Sequence, residues 1–207
     1  MGSPQIKTGS AISYGWTSVK KDFWYFVGLA VVSTIIGSIG SDNNNANQWD
    51  LLGLLLSAWM TCGYMTMMLS YQAGHKLPFG DLFKQVKHYW EVLGATFLLF
   101  VIIVIGLILL IVPGVYLAVR FQFTIQLILD QGLGIMAAMK ESTRLTNGIK
   151  MSLLGFDLTL LGVILLGAIV LGVGVFVALP VVWLASVVVY RQVSSASPVS
   201  APSPAKA

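Results

Sequence analysis

The chain has 207 residues, of which 57% are hydrophobic and only 10% are charged, whereas soluble domains carry about 25% charged residues. This balance excludes an ordinary water-exposed surface and predicts a protein embedded in lipid. The formal net charge of +4 does not indicate nucleic-acid binding, because the basic residues flank long apolar runs, as orienting charges of membrane proteins do. The one cysteine, Cys62, excludes an intramolecular disulfide.

A membrane-spanning helix needs about 20 mostly apolar residues. Six such segments are predicted, near residues 23–40, 51–71, 92–112, 113–130, 153–172 and 175–191. The first is too long for a signal peptide and lacks a clear cleavage site, so it is predicted to be retained. The third and fourth form one run that breaks at Pro113-Gly114, and the last two form another that breaks near residues 172–174. Each break is predicted to be a tight reversal.

The charges of the connecting segments predict the orientation. The 41–50 loop has two aspartates and no basic residue, whereas the N-terminal segment, the 72–91 and 131–152 connectors and the C-terminal end hold every Lys and Arg except Arg120. By the positive-inside rule, both termini are predicted to be cytoplasmic. Residues 1–193 are predicted to form one membrane domain, and the Ser/Pro/Ala-rich residues 194–207 a disordered tail.

Internal repeats indicate a recurring unit. The segment VKKDFW (19–24) aligns with VKHYWE (86–91), and PGVYLA (113–118) aligns with PVVWLA (180–185). A third basic segment, AAMKESTRLTNGIKMSLLG (137–155), precedes the fifth predicted span. The predicted fold class is therefore all-α, with six transmembrane helices arranged as three repeats of an amphipathic interfacial helix followed by a transmembrane hairpin.

The segments that precede the hairpins have the pattern of helices in the lipid headgroup layer. In the first of them, Ile12, Trp16 and Val19 share one face, and residues 82–89 repeat this pattern. Flanking basic side chains are predicted to contact anionic headgroups. These residues are Lys20, Lys21, Lys84, Lys87, Lys140 and Arg144. The alternative is that the helices only anchor and orient the spans.

Arg120 lies about 10–12 Å inside the outer boundary of the fourth predicted span. An arginine at such depth costs about 2.5–3.5 kcal/mol on insertion scales, so it should face protein or water. Two interpretations stay open. Arg120 either forms a structural ion pair, with Asp157 of the fifth span or less favourably with Asp130, or binds a phosphate or carboxylate of an amphiphile.

The polar residues of the fourth span occupy two sides of a helix with 100° per residue. They are Tyr116, Arg120 and Thr124 on one side, and Gln122, Gln126 and Asp130 on a different side. A helix with two polar sides cannot expose both to lipid. The fourth span is therefore predicted to be the most enclosed, and these residues together with Asp157 are predicted to form an intramembrane polar network.

Motifs of catalysis and metal binding are absent from the sequence. It has no G-x-S-x-G, P-loop or G-x-G-x-x-G motif. Met60, Met65, Met67 and Met68 flank Cys62 and could suit Cu(I), but the four do not share one face and are typical of packing. The two histidines lack zinc spacing. No enzyme activity, cofactor or metal site is predicted.

The run VPGVYLAVRFQFTIQLILDQGLG (112–134) followed by AAMKESTRLTNG (137–148) resembles the core of a widespread group of bacterial six-pass membrane proteins. That group includes the membrane domain fused to some glycerophosphoryl diester phosphodiesterases and stand-alone relatives. The resemblance covers residues 78–192 and is most specific at Pro113, Tyr116 and Arg120. Where the group often has aromatic residues, this chain has Thr143 and Ile149-Lys150. The resemblance implies the fold, a location in the bacterial inner membrane and a link to lipid, without the phosphodiesterase activity.

The leading functional prediction is non-enzymatic: the protein binds or organises a lipid, another amphiphile or a partner protein at the cytoplasmic leaflet. The predicted partners are membrane lipids, including anionic ones, and a second copy or another membrane protein. Small residues four apart, such as Ser33 and Gly37, suit close helix packing within or between subunits. The alternative is a secondary transporter or channel with a polar path lined by Arg120 and Asp157.

Overall fold

The computed structural model of the protein describes residues 7–38, 49–75, 88–169 and 174–196. In these ranges the chain is almost entirely helical and forms no strand, which confirms the all-α class. The helices are α1 (Thr8–Lys21), α2 (Phe23–Ser38), α3 (Trp49–Gln72), α4 (Tyr89–Leu109), α5 (Ile111–Phe121), α6 (Thr124–Gln131), α7 (Ile135–Thr146), α8 (Lys150–Ile169) and α9 (Gly174–Ala196).

Four stretches in the described part of the chain are long and apolar enough to cross a membrane. They are Tyr89–Ile108, Val112–Gln131, Lys150–Ile169 and Gly174–Ala196, which coincide with the third to sixth predicted spans. A shorter apolar helix, Phe23–Val32, coincides with the first, and the 24 residues of α3 cover the second. The protein is therefore of the multi-pass membrane type, while six crossings and the threefold repeat stay predictions.

The reversal between α4 and α5 lies at Leu110, which is extended with φ −166° and ψ 142°. The prediction of a break at Pro113-Gly114 was wrong by about one helical turn. Proline is tolerated in the first turn of a helix, and Pro113 occupies the first turn of α5. Gly114 instead allows α4 to come close, because a Cβ atom there would lie 2.6 Å from Leu107 Cγ.

Helix α9 packs against α1, α2, α3 and α8, and many of its side chains are buried. Leu184 and Ala185 are fully buried in this core. Tyr64 of α3 contacts α9 by an edge-on ring contact with Trp183, at 4.9 Å between ring centroids. The helix continues to Ala196. Residues 194–196, which were predicted to begin the disordered tail, are therefore helical. Residues 197–207 lie outside the described ranges.

Helix α1 packs lengthwise on α9, which corrects its predicted apolar face. The buried residues of α1 are Ala11, Gly15, Ser18 and Val19, whereas Trp16 is 47% exposed. At Gly15 a Cβ atom would lie 2.7 Å from the Val181 backbone oxygen. Close packing on a neighbouring helix, rather than a matching row of large apolar residues, therefore decides which face of α1 is buried.

Replacing Gly15 with leucine is expected to destabilise the protein by roughly 1–3 kcal/mol, because the added side chain forces α1 away from α9. The matched control is Gly9→Leu in the same helix, where a Cβ atom meets nothing within 4 Å. Thermal unfolding of both variants in one detergent, followed by circular dichroism, checks this expectation. Equal melting temperatures would contradict the contact between α1 and α9.

Candidate functional site

The fourth predicted span is interrupted where α5 ends at Phe121 and α6 begins at Thr124. At this break the hydroxyl of Ser142 in α7 inserts between the two helices. Its Oγ accepts a hydrogen bond from the Phe123 backbone N–H (3.3 Å) and donates one to the Arg120 carbonyl (3.0 Å). Insertion of a side chain into the backbone ladder is a recognised cause of helix kinks, so α7 supports the break directly.

Two further hydroxyls lie at the same break. Thr124 Oγ1 donates to the Phe121 carbonyl at 2.7 Å. Thr146 Oγ1 lies 2.9 Å from the Ser142 carbonyl and 3.3 Å from the Arg120 carbonyl. The carbonyls that the interruption releases are therefore satisfied within the protein, as a low-dielectric environment requires.

The side chain of Arg120 also contacts α7. Its Nε donates to Thr143 Oγ1 at 3.0 Å, and Thr143 Oγ1 donates to the Met139 carbonyl at 2.9 Å. Among the residues that the structure describes, no carboxylate lies within 4.0 Å of the guanidinium. Within the described ranges, the side-chain hydrogen-bond partner of Arg120 is therefore a neutral hydroxyl and not a carboxylate.

Asp157 is held by a different residue. With its amide nitrogen turned toward the carboxylate, Gln122 donates to both oxygens of Asp157, at 3.0 and 3.2 Å. The described contacts thus do not include the predicted ion pair between Arg120 and Asp157. The hydrogen bonds from the Gln122 amide to the Asp157 carboxylate connect the α5–α6 break to α8.

Lys150, the first residue of α8, adds a second cation beside α5. Its Nζ donates to the Tyr116 hydroxyl at 2.6 Å and lies 4.4 Å from the centroid of that ring. Tyr116 precedes Arg120 by one helical turn, about 6 Å along the axis. Lys150 therefore contacts the side of α5 from which Arg120 extends. Neither cation has a carboxylate partner in the described ranges. We call Tyr116, Arg120, Thr143 and Lys150 the cation cluster.

Asp130 belongs to a separate group at the end of α6. The guanidinium of Arg191 binds both of its oxygens, at 2.7 and 3.1 Å, and the Tyr190 hydroxyl donates to it at 2.8 Å. Gln131 donates to the same tyrosine at 3.2 Å. Bidentate pairing of this kind fixes geometry, so this group locks α6 to α9. Of the predicted polar residues, Gln126 is 5% exposed, and its side-chain oxygen has no hydrogen-bond partner in the structure described.

The residues predicted to contact headgroups are outward-facing where the structure describes them. Lys20, Lys21 and Lys140 are exposed, and Arg144 forms a surface ion pair with Glu141 at 2.6 Å. This hydrogen bond with Glu141 raises the pKa of Arg144. Lys84 and Lys87, with the second predicted interfacial helix, lie outside the described residues.

Sequence reasoning missed Ser142, Lys150, Tyr190 and Arg191, and treated Thr143 only as a departure from an aromatic pattern. A signal for part of this group was present, because the hydroxyl residues of α7 recur at 142, 143 and 146 on one helical face. That α7 lies in the headgroup layer stays a prediction. Its buried residues, which include Ala138, pack against α5 and α6.

The family described as Protein of unknown function (DUF975) matches residues 50–197, and the chain belongs to this family. The match includes the cation cluster and the Asp130 group. No curated protein and no solved structure matches the chain significantly. The relationship to the membrane domain of glycerophosphoryl diester phosphodiesterases therefore stays a prediction.

Replacing Ser142 with alanine is expected to destabilise the protein by about 1–3 kcal/mol, since the variant leaves the Phe123 N–H without its buried acceptor. Amide exchange in the peptide 118–126 should accelerate in particular. Hydrogen exchange followed by mass spectrometry measures both effects. The control is Ser152→Ala, at an exposed position of α8, and a similar acceleration in both variants would argue against the role of Ser142 at the break.

Proposed function

We propose that this protein binds the phosphate-bearing headgroup of an anionic amphiphile at the cation cluster, where α5, α7 and α8 meet. One observation supports this function best: two cations, Arg120 and Lys150, lie on one side of α5. Their described side-chain partners are hydroxyls, Thr143 for Arg120 and Tyr116 for Lys150, and not carboxylates. Two cations that have no carboxylate partner among the described residues are costly in a lipid-embedded fold. An anionic ligand would neutralise them.

The donor geometry suits a phosphate. A guanidinium has five N–H donors in a planar fork, and the bond from Arg120 Nε to Thr143 leaves both terminal NH₂ groups for a ligand. Lys150 has three donors, of which one reaches Tyr116. Thr143 and Tyr116 therefore orient the two cations without consuming their charge.

The surroundings of the cluster favour an amphiphile over a free phosphate ion. Tyr116 is 45% exposed, and Met151, the sequence neighbour of Lys150, is 82% exposed. Val115, next to Tyr116, is exposed as well. A ligand with acyl chains can cover such apolar side chains while its headgroup meets the cations.

The alternative function, transport or channel activity, draws support from the break between α5 and α6. Interrupted helices form the substrate sites of many secondary transporters, and the side-chain oxygen of Gln126 is buried without a partner. In this chain, however, hydroxyls of α7 occupy the break. This favours binding as the leading proposal.

Replacing Lys150 or Arg120 with glutamine is expected to lower retention of an anionic lipid by about tenfold or more. The reason is that each variant loses one or two charge-assisted hydrogen bonds to the lipid. Native mass spectrometry of the purified protein with added phosphatidylglycerol, against phosphatidylcholine, measures this retention. The matched control is Lys7→Gln, an exposed cation immediately before α1 and outside the cluster. It should retain lipid as the unmodified protein does.

Melting temperatures show whether each variant is folded. Lys150 begins α8 and bonds one partly exposed tyrosine, so Lys150→Gln provides a folded variant even if Arg120→Gln does not fold. Unchanged retention in folded Lys150→Gln would refute the proposed site. Cysteine accessibility along residues 116–130 separates the alternative, because a continuous water-accessible path would favour transport.

A further inference from the structure

A cavity of about 280 Å³ lies between α1, the α1–α2 junction and the end of α3. The side chains and backbone around it come from the C-terminal half of α1, the α1–α2 junction and the end of α3. They are Tyr14, Thr17, Ser18, Lys21, Asp22, Tyr71 and Gly74. None of these residues belongs to the cation cluster, so this cavity is an independent candidate for a ligand.

Both signs of charge are present in this cavity, on the consecutive residues Lys21 and Asp22. The Tyr71 hydroxyl donates to Asp22 Oδ2 at 2.6 Å, which orients the carboxylate and connects α3 to the α1–α2 junction. The backbone of Asp22 is fixed as well, because its N–H donates to the Ser18 carbonyl at 3.1 Å and its own carbonyl accepts from Tyr25 at 3.0 Å. The two charges are thus held on a rigid turn.

Exposed aromatic residues place this cavity at the level of lipid headgroups. Trp16 lies outward with the Lys20 Nζ 5.0 Å from its ring centroid, and Trp24, just after the junction, is 82% exposed. Tryptophan and lysine concentrate at the interface between hydrocarbon and water. The cavity between them is therefore accessible to headgroups of the surrounding bilayer.

We infer that this cavity binds a zwitterionic headgroup with a phosphate and a primary ammonium, as in ethanolamine phospholipids. Lys21 and the hydroxyls of Tyr14 and Thr17 supply donors for the phosphate, and the Asp22 carboxylate accepts from the ammonium. The volume lies just below the roughly 300–1,000 Å³ of drug-sized pockets. That size suits a headgroup, with the acyl chains left in the bilayer.

The carboxylate is the element that gives selectivity. A choline headgroup has the same charges, but its quaternary ammonium has no N–H to donate to Asp22. A glycerol headgroup has no cation, and its phosphate would meet the negative charge of Asp22 as well as Lys21. Binding should therefore be strongest for ethanolamine lipids, in contrast to the anionic lipid proposed for the cation cluster.

The test measures binding of phosphatidylethanolamine, phosphatidylcholine and phosphatidylglycerol to the full chain by native mass spectrometry. The unmodified protein should prefer phosphatidylethanolamine over phosphatidylcholine by roughly tenfold. Asp22→Asn should abolish this preference, and Lys21→Gln should weaken the binding of both lipids. The matched control is Lys7→Gln, immediately before the same helix. Lys7 does not line the cavity, and this variant should keep the preference.

Tyr71→Phe removes the hydroxyl that orients Asp22 but keeps the carboxylate, so it should weaken the preference without abolishing it and serves as a second variant if Asp22→Asn fails to fold. Competition by soluble glycerophosphoethanolamine distinguishes recognition of the headgroup from bilayer insertion. Equal binding of the two zwitterionic lipids, or an unchanged preference in folded Asp22→Asn, would overturn the inference. Loss of phosphatidylglycerol retention in Lys150→Gln alone would leave it intact.

Discussion

A backbone polar group left without a partner in hydrocarbon costs several kcal/mol. A transmembrane helix can therefore break only where another element supplies the missing hydrogen bonds. In this protein the hydroxyl of Ser142 meets that requirement, by bridging the Phe123 N–H and the Arg120 carbonyl. Helix α7 is consequently part of the membrane fold, since its displacement would leave the break between α5 and α6 unsatisfied.

The same constraint decides the environment of Arg120. Because α7 presents hydroxyl residues to the break, the guanidinium meets Thr143 and not an acid. The acidic residues of the predicted network are bound elsewhere, Asp157 by Gln122 and Asp130 by Arg191. Among the described residues, positive charge is thus left near α5, and the proposal of an anionic ligand rests on this separation of charges.

The sequence was sufficient for the features that depend on hydropathy. Apolar runs located the four stretches that can cross a membrane, and the cost of an arginine in lipid drew attention to Arg120, whose Nε donates to Thr143 Oγ1. The break itself could not be predicted, because Gln122 and Phe123 are not helix breakers and the cause lies in Ser142, distant along the chain. The Arg120–Asp157 pair was inferred from charge alone. Gln122, assigned to a different side of the helix from Arg120, was the residue that reached Asp157.

Hydropathy also misread α1, because small residues contribute little to an apolar pattern although they allow the closest packing. The helix buries Gly15 and Ser18 against its neighbours, and α7 likewise buries Ala138 and Ser142. Both helices thereby pack onto the spans through small side chains and leave their basic residues outside.

The two polar sites beside these helices differ in whether a carboxylate lines the site. Asp22 is fixed next to Lys21 by Tyr71, whereas near Arg120 the carboxylate of Asp157 is bound by Gln122. A site that retains a carboxylate can accept a cationic group together with a phosphate, and a site without one repels cations and attracts net negative charge. Under the two proposals, one fold would distinguish an anionic headgroup at the cation cluster from a zwitterionic headgroup at the cavity that contains Asp22.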